Sequence, residues 1–187
     1  MNASSTIKNY YVSSKSLRIA HKISLALGMA FLTGLLAQIR IYLPLTPVPV
    51  TGQVLGVLLS GAVCGSGFGA LSQLIYVVFG LGGISWFALA PASLAGLFTS
   101  PTGGYLLGFI MAPLVIKRKR DFVSNLRCML LGIAVIYLFG TTGLMFVLHT
   151  TPWNAIKLGI LPFLAFDLMK AFVAAGILSY PRRPSKP

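Results

Sequence analysis

"IYLPLTPVPVTGQVLGVLLSGAVCGSGFGALSQLIYVVFG", Ile41 to Gly80, contains no Asp, Glu, Lys, Arg or His. The charge-free run continues to Ile116 and stops only at "KRKR", Lys117 to Arg120. Soluble domains carry about a quarter charged residues, and that charge is what coats a water-facing surface. The rest of the chain follows suit. Of its 187 residues 56% are hydrophobic and 9% charged, with a mean hydropathy of +0.86. Lipid must be the solvent, and the length suits one domain. Backbone groups in lipid have to be satisfied internally, so spans of this composition read as helices, and the chain as an all-α integral membrane protein.

The two ends of the charge-free run set the topology. The net charge of +13 invites nucleic acid as a partner, but the positions of the cations argue against it. Apart from Arg40, Lys157 and Lys170, every Lys and Arg falls in three clusters: Lys8 to Lys22, Lys117 to Arg127 and Arg182 to Lys186. Each cluster flanks an apolar block, as cytoplasmic positive-inside signals do. If the first cluster is cytoplasmic, an odd number of spans must separate the first helix from "KRKR". One is too few, and five would leave each about 15 residues, below the roughly 20 that a spanning helix needs. Three fits.

The spans are placed at about Ile23 to Leu43, Gly52 to Gly65, Phe68 to Gly80, Pro101 to Ile116, Met129 to Leu148 and Ile156 to Leu178. The expectation is a six-transmembrane-helix bundle, residues 23–180, with both termini cytoplasmic. A polar basic segment, 1–22, precedes it as a frayed or surface-lying tail, and a basic tail, 181–187, follows. The apolar run of the first span is long enough to cross and others follow it, so it reads as an uncleaved helix rather than a signal peptide. Three prolines in "PLTPVPVTGQ" (Pro44 to Gln53) make that stretch extended rather than helix or strand. The glycine-rich "GAVCGSGFGA" (Gly61 to Ala70) is either a tight turn or a place where two helices approach closely. Leu81 to Ser100 is apolar but broken by Gly82, Gly83 and Pro91, so it is read as an apolar extracellular lid over the bundle.

Against this background "PFLAFDLMKAF" (Pro162 to Phe172) stands out, because Asp167 is one of two acidic residues in the chain and Lys170 lies one turn on. A charge at the bilayer centre costs about 2.5–3.5 kcal/mol on insertion scales. At i and i+3 the two share a helical face and can pair. Pairing alone leaves two readings: an inert ion pair joining helices, or a polar binding site with an acceptor beside a cation. Ser100-Pro101 followed by "TGG" (Thr102 to Gly104) looks like a capped helix start whose bare first turn suits an anion, and equally like an ordinary helix start. Trp86 and Phe87 in the lid suit a flat apolar ligand, while Trp153 reads as an interface anchor. Gln53 and Gln73 can bond a ligand or another helix. Ala26, Ala30 and Gly34 form a stripe of small residues for docking a partner helix or for packing inside the bundle.

Catalysis finds no support. His21 and His149 fall at opposite membrane faces, and Cys64 and Cys128 have no metal-ligand spacing around them. A metal hydrolase or phosphotransferase would need more His, Asp and Glu than this chain has, and no GxxxxGK[ST] loop is present. The chain reads as no enzyme, without cofactor or metal.

Taken together, "TPVPVTGQVLGVLLSGAVCG" (Thr46 to Gly65), "GALSQLIYVVFGLGG" (Gly69 to Gly83), "SPTGGYLLGF" (Ser100 to Phe109) and "PFLAFDLMKA" (Pro162 to Ala171) resemble the BioY family, the biotin-specific substrate-binding (S) components of energy-coupling factor (ECF) transporters. The resemblance implies a multi-pass protein of a bacterial or archaeal cytoplasmic membrane that takes biotin from outside. It implies docking on a transmembrane coupling (T) protein driven by two ATPase subunits, through an AxxxA motif matched by Ala26 and Ala30. It also puts ligand contacts on Asp167 and Lys170. Gln53, Trp86, Phe87, Thr102, Gly103 and Tyr105 complete the candidate binding set. The lid departs from the family's "FxGGxGG"-like pattern, reading "FALAPASLAG" (Phe87 to Gly96), so no polar contact is carried over from it. An S component for a different vitamin, or a structural or channel-like subunit with an inert Asp-Lys pair, are the alternatives. Membrane lipid is the remaining expected partner, and nucleic acid is not one.

Overall fold

The structure, a computed structural model, describes residues 3–87 and 94–179, with side chains from 17 to 87 and from 95 to 179. The tail 181–187 and positions 88–93 of the lid lie outside the described residues. The described chain is mostly helical: α1 (Ala3–Leu36), α2 (Gln53–Cys64), α3 (Ser66–Leu81), α4 (Leu94–Thr99), α5 (Gly103–Val115), α6 (Phe122–Leu148), α7 (Pro152–Gly159) and α8 (Leu164–Ser179). Two of these, α6 and the Leu17–Leu36 part of α1, are long and apolar enough to cross a membrane; α7 with α8, bent by 57°, makes a third when counted as one span.

No proline or glycine interrupts residues 3–27, and α1 runs from Ala3 straight into the first span. It ends at Leu36, earlier than expected, because Gly52 folds back and its N–H is shared by the carbonyls of Leu36 (3.1 Å) and Ile39 (3.0 Å). The intervening proline-rich stretch, expected to be extended rather than helix or strand, instead closes a two-residue ladder, because the return of Gly52 to the end of α1 brings 50–51 alongside 40–41. β1 (Arg40–Ile41) and β2 (Val50–Thr51) pair antiparallel, Arg40 with Thr51 and Ile41 with Val50.

Helices α2 and α3 are joined by Gly65 alone, whose φ of +81° is open to glycine and costly for other residues. Both readings of the glycine-rich stretch hold, since a Cβ on Gly69 would lie 2.8 Å from the Gly61 Cα. These helices, with 12 and 16 residues, are about 18 and 24 Å long, shorter than the roughly 30 Å hydrocarbon core. Helix α5 packs most extensively on α6, at a crossing where a Cβ on Gly104 would strike the Phe139 carbonyl oxygen. The lid contains a helix, α4, that the sequence reading did not foresee. The sixth span is broken. Pro162 has no N–H to continue the ladder, the chain turns through 160–163, and α8 starts in a new direction.

Leu58, Tyr76, Ile116, Met129, Ile136 and Leu144 are fully buried at the centre. The outside is equally apolar. Phe31 on α1, Leu138 and Phe146 on α6 and Met169, Phe172 and Ile177 on α8 are all more than half exposed. A water-soluble monomer does not carry such a belt, whereas lipid accepts it. At the basic-loop end, an Arg118 Nη donates to the Leu178 carbonyl (2.8 Å) and so caps the C-terminal end of α8 with a cation. The buried Asn125 amide accepts from the Lys119 N–H (2.7 Å) and donates to the Ser179 hydroxyl (3.0 Å), tying the same loop to α8.

Candidate functional site

Toward the α7 end of the bundle, α2, α5, α6 and α8 surround a cavity of about 560 Å³ including its mouth. Its walls are mainly apolar, built from Val54, Leu106, Phe109, Ile136 and Phe163. Val48 and Pro49, leading into β2, and Phe87 of the lid also border it.

The bend before α8 sets the chemistry of one wall. Because the helix restarts at Leu164, Asp167 stands in its first turn, where the positive end of the helix dipole favours a carboxylate. Asp167 is 3% exposed, and both its oxygens are engaged. Oδ1 accepts from Lys170 Nζ at 2.6 Å, and Oδ2 accepts from the Tyr137 hydroxyl of α6 at 2.8 Å. All three side chains line the cavity. The outcome is an electrically balanced cluster that retains spare lone pairs on the carboxylate and spare N–H groups on the ammonium.

A second polar group faces the cavity from α2. Gln53 Oε1 accepts from the Thr51 hydroxyl at 2.7 Å and its Nε2 donates to the Tyr76 hydroxyl at 2.6 Å. Thr51 and Gln53 line the cavity, as does Thr102, whose hydroxyl is 2.9 Å from that of Ser100.

Of the candidates read from the sequence, Asp167, Lys170, Gln53, Phe87, Thr102 and Tyr105 are brought together here. Tyr105 shows the cavity its ring, because its hydroxyl is already donated to the Gly159 carbonyl (2.7 Å) and fixes the end of α7. Trp86 and Gly103 are not in the wall. The Trp86 indole packs on Tyr76 and Phe79, and its Nε1 donates to the Tyr76 carbonyl (3.0 Å). Gly103 is a packing position, since a Cβ there would collide with the Leu97 carbonyl oxygen of α4. The helix start itself lies at Gly103, with Thr102 at the N-cap and no side-chain cap; Ser100 instead accepts from the Thr102 N–H (3.3 Å). Gln73 belongs to helix packing, donating to the Thr33 and Ser72 hydroxyls with its Oε1 buried and unpaired among the described residues. Ala26 and Ala30 are 0% and 1% exposed, so this stripe faces inward, and α1 shows Leu27, Phe31 and Leu35 to the outside.

Tyr137 escaped the sequence reading, although a signal was present. Tyrosines in spanning helices favour the interfaces, so one in the middle of α6 calls for a polar partner. The apolar walls left no such signal, because nearly every residue around them is apolar too.

The fold is that of a membrane S component. The structure superposes on "Crystal structure at 2.1 A of the S-component for biotin from an ECF-type ABC transporter" with a TM-score of 0.76, covering 96% of this chain and 93% of that one at 18% identity. The chain belongs to the BioY family, whose family model matches residues 5–186. It is 40% identical over 139 residues to "Biotin transporter BioY" of Thermotoga maritima, covering 72% of this chain and 81% of that protein. To "Probable biotin transporter BioY" of Pyrococcus horikoshii it is 38% identical over 156 residues, covering 83% and 92%. "Biotin transporter BioY" of Rhizobium etli is 32% identical over 158 residues, 75% and 83%.

Proposed function

We propose that this chain takes up biotin as the high-affinity substrate-binding S component of an ECF-type transporter. The observation that carries the reading is the Asp167–Lys170–Tyr137 cluster on the wall of an otherwise apolar cavity. Biotin's bicyclic head has two ureido N–H donors beside one carbonyl, and the cluster supplies a carboxylate acceptor beside an ammonium donor. Because the ion pair is already balanced, it suits a neutral polar head better than a free carboxylate, whose charge it would have to repel from Asp167. The thiophane ring and aliphatic chain match the phenylalanine and aliphatic walls. The valerate carboxylate is then left to the hydroxyl and amide donors of Thr51, Gln53 and Thr102.

In this reading six helices cross the cytoplasmic membrane of a bacterium or archaeon, and both termini lie inside. The broken α7–α8 unit counts as one span, and the short α2, α3 and α5 count as three. The clustering of Lys117 to Arg120 on one loop supports that orientation. Energy comes from a transmembrane coupling protein and two ATPase subunits. Docking through Ala26 and Ala30 then requires α1 to shift, because α2 and α3 cover that face.

The test is equilibrium binding of labelled biotin to the purified protein in detergent, with thiamine and riboflavin as competitors. Saturable binding displaced by biotin alone is the expected result. No saturable binding sinks the proposal, and displacement by another vitamin reassigns the ligand.

A further inference from the structure

We infer that Tyr76 and Trp86 form a latch that couples the cavity to helix α1, with Tyr76 acting as a positioning residue for Gln53 and Phe87. The inference rests on the biotin reading for its ligand but not for its geometry.

Among the described residues Tyr76 is the largest fully buried side chain; it does not line the cavity, yet it touches two residues that do. Its hydroxyl accepts from Gln53 Nε2 at 2.6 Å, and its ring meets the Phe87 ring edge-on at 5.3 Å. On its other side it holds Trp86, with ring centroids 5.2 Å apart and the indole N–H on its carbonyl. Trp86 is in turn fastened to α1 and to the turn that follows it. Its carbonyl accepts from Gln38 Nε2 at 3.2 Å, and its six-membered ring fills the space that Gly34 leaves, where a Cβ would come within 2.5 Å of Cε3. Phe87 is seated just as closely, over Gly80.

Neighbouring residues of the lid therefore serve different elements. Phe87 borders the cavity, while Trp86 grips α1, and one peptide unit joins them. A ligand that moves Phe87 or reorients Gln53 must move Tyr76, and through it the indole on Gly34. Conversely, any shift of α1 pulls on Trp86 and loosens the cover at Phe87. This gives Gly34 a reason to be small that differs from helix docking.

Tyr76→Phe keeps the ring and removes the hydroxyl. Gly34→Ala puts a methyl into the indole seat from the side of α1, and Trp86→Phe shortens the ring that it would strike. Biotin association and dissociation are measured by rapid mixing on the full chain, and Trp86 emission is followed in a Trp153→Phe background. Trp86 emission is expected to change on biotin binding, although Trp86 is not in the wall. Tyr76→Phe should speed dissociation about tenfold, the equivalent of one lost buried hydrogen bond, with association nearly unchanged. Gly34→Ala should also speed dissociation, and Gly34→Ala combined with Trp86→Phe should restore it toward the wild-type rate, a rescue that general destabilisation does not give. If Tyr76→Phe and Gly34→Ala release biotin at the wild-type rate, or Trp86 emission ignores the ligand, the latch is overturned while the biotin reading stands. If wild-type protein binds no biotin, both fall together.

Discussion

The Tyr137 hydroxyl donates to Asp167 Oδ2 at 2.8 Å, joining α6 to α8 through the carboxylate that Lys170 holds from the other side. The three side chains act as one unit, so removal of each member has a different expected consequence.

Tyr137→Phe leaves the ring in place and Oδ2 without its donor. A hydrogen bond to a charged group is worth about 1.5–3 kcal/mol, so biotin affinity should fall by about 10- to 100-fold. Titration with labelled biotin measures this; an unchanged Kd removes Tyr137 from the site.

Asp167→Asn and Lys170→Ala each strand a partner in a buried place, which costs about 3–5 kcal/mol when one member of a buried pair is lost. Both variants should melt earlier in detergent and bind biotin far more weakly. Asp167→Asn with Lys170→Met, which leaves no stranded charge, should regain thermal stability but not binding. Recovery of both properties would mean that the pair is an inert tie between helices.

Exchanging the charges, Asp167→Lys with Lys170→Asp, preserves an i,i+3 pair but points the wrong groups at Tyr137 and the ligand. The folded yield should survive better than the binding. Uptake at the wild-type level would argue for a structural pair.

A cysteine at Ala26, in a background where Cys64 and Cys128 are replaced, should resist maleimide in the isolated protein because that face is buried. It should stay unreactive once the chain is assembled with its coupling partner, because the partner then covers that face in place of α2 and α3. Faster labelling in the assembled state would remove Ala26 from the docking contact.

Asp121 sits before α6, and its Oδ2 accepts from the Ser124 N–H at 2.8 Å, which holds its carboxyl below the usual carboxylate range. A depressed carboxyl stabilises the fold above its unfolded value of about 3.9 and loses that contribution as pH falls through the lower folded value. The effect is small because the group is exposed. Asp121→Ala should lower the melting temperature slightly at neutral pH, converge with wild type in strong acid, and leave biotin binding untouched.

Much of the architecture was legible because lipid makes charge scarce. In a chain with two acidic residues, Asp167 with Lys170 one turn on stood out, and Lys117 to Arg120 marked the loop between α5 and α6. What stayed hidden was geometry that composition does not encode. Trp86 and Phe87 looked equivalent as lid aromatics, and only the bare backbone at Gly34 and Gly80 separates their roles. Ala26 and Ala30 fit an inward or an outward stripe equally well until α2 and α3 were seen to cover them. The break at Pro162 was masked by an apolar run that continues on both sides of it.

That break also insulates register. An extra residue in the turn at 160–163 would be taken up there, leaving Asp167 and Lys170 aimed as before. The same insertion after Leu164 would rotate everything beyond it by about 100° and carry the carboxylate off the cavity. Natural variation in length should therefore be tolerated on the α7 side of the bend and purged on the α8 side, which makes Leu164 the boundary between a part of the chain free to drift and a part that is not.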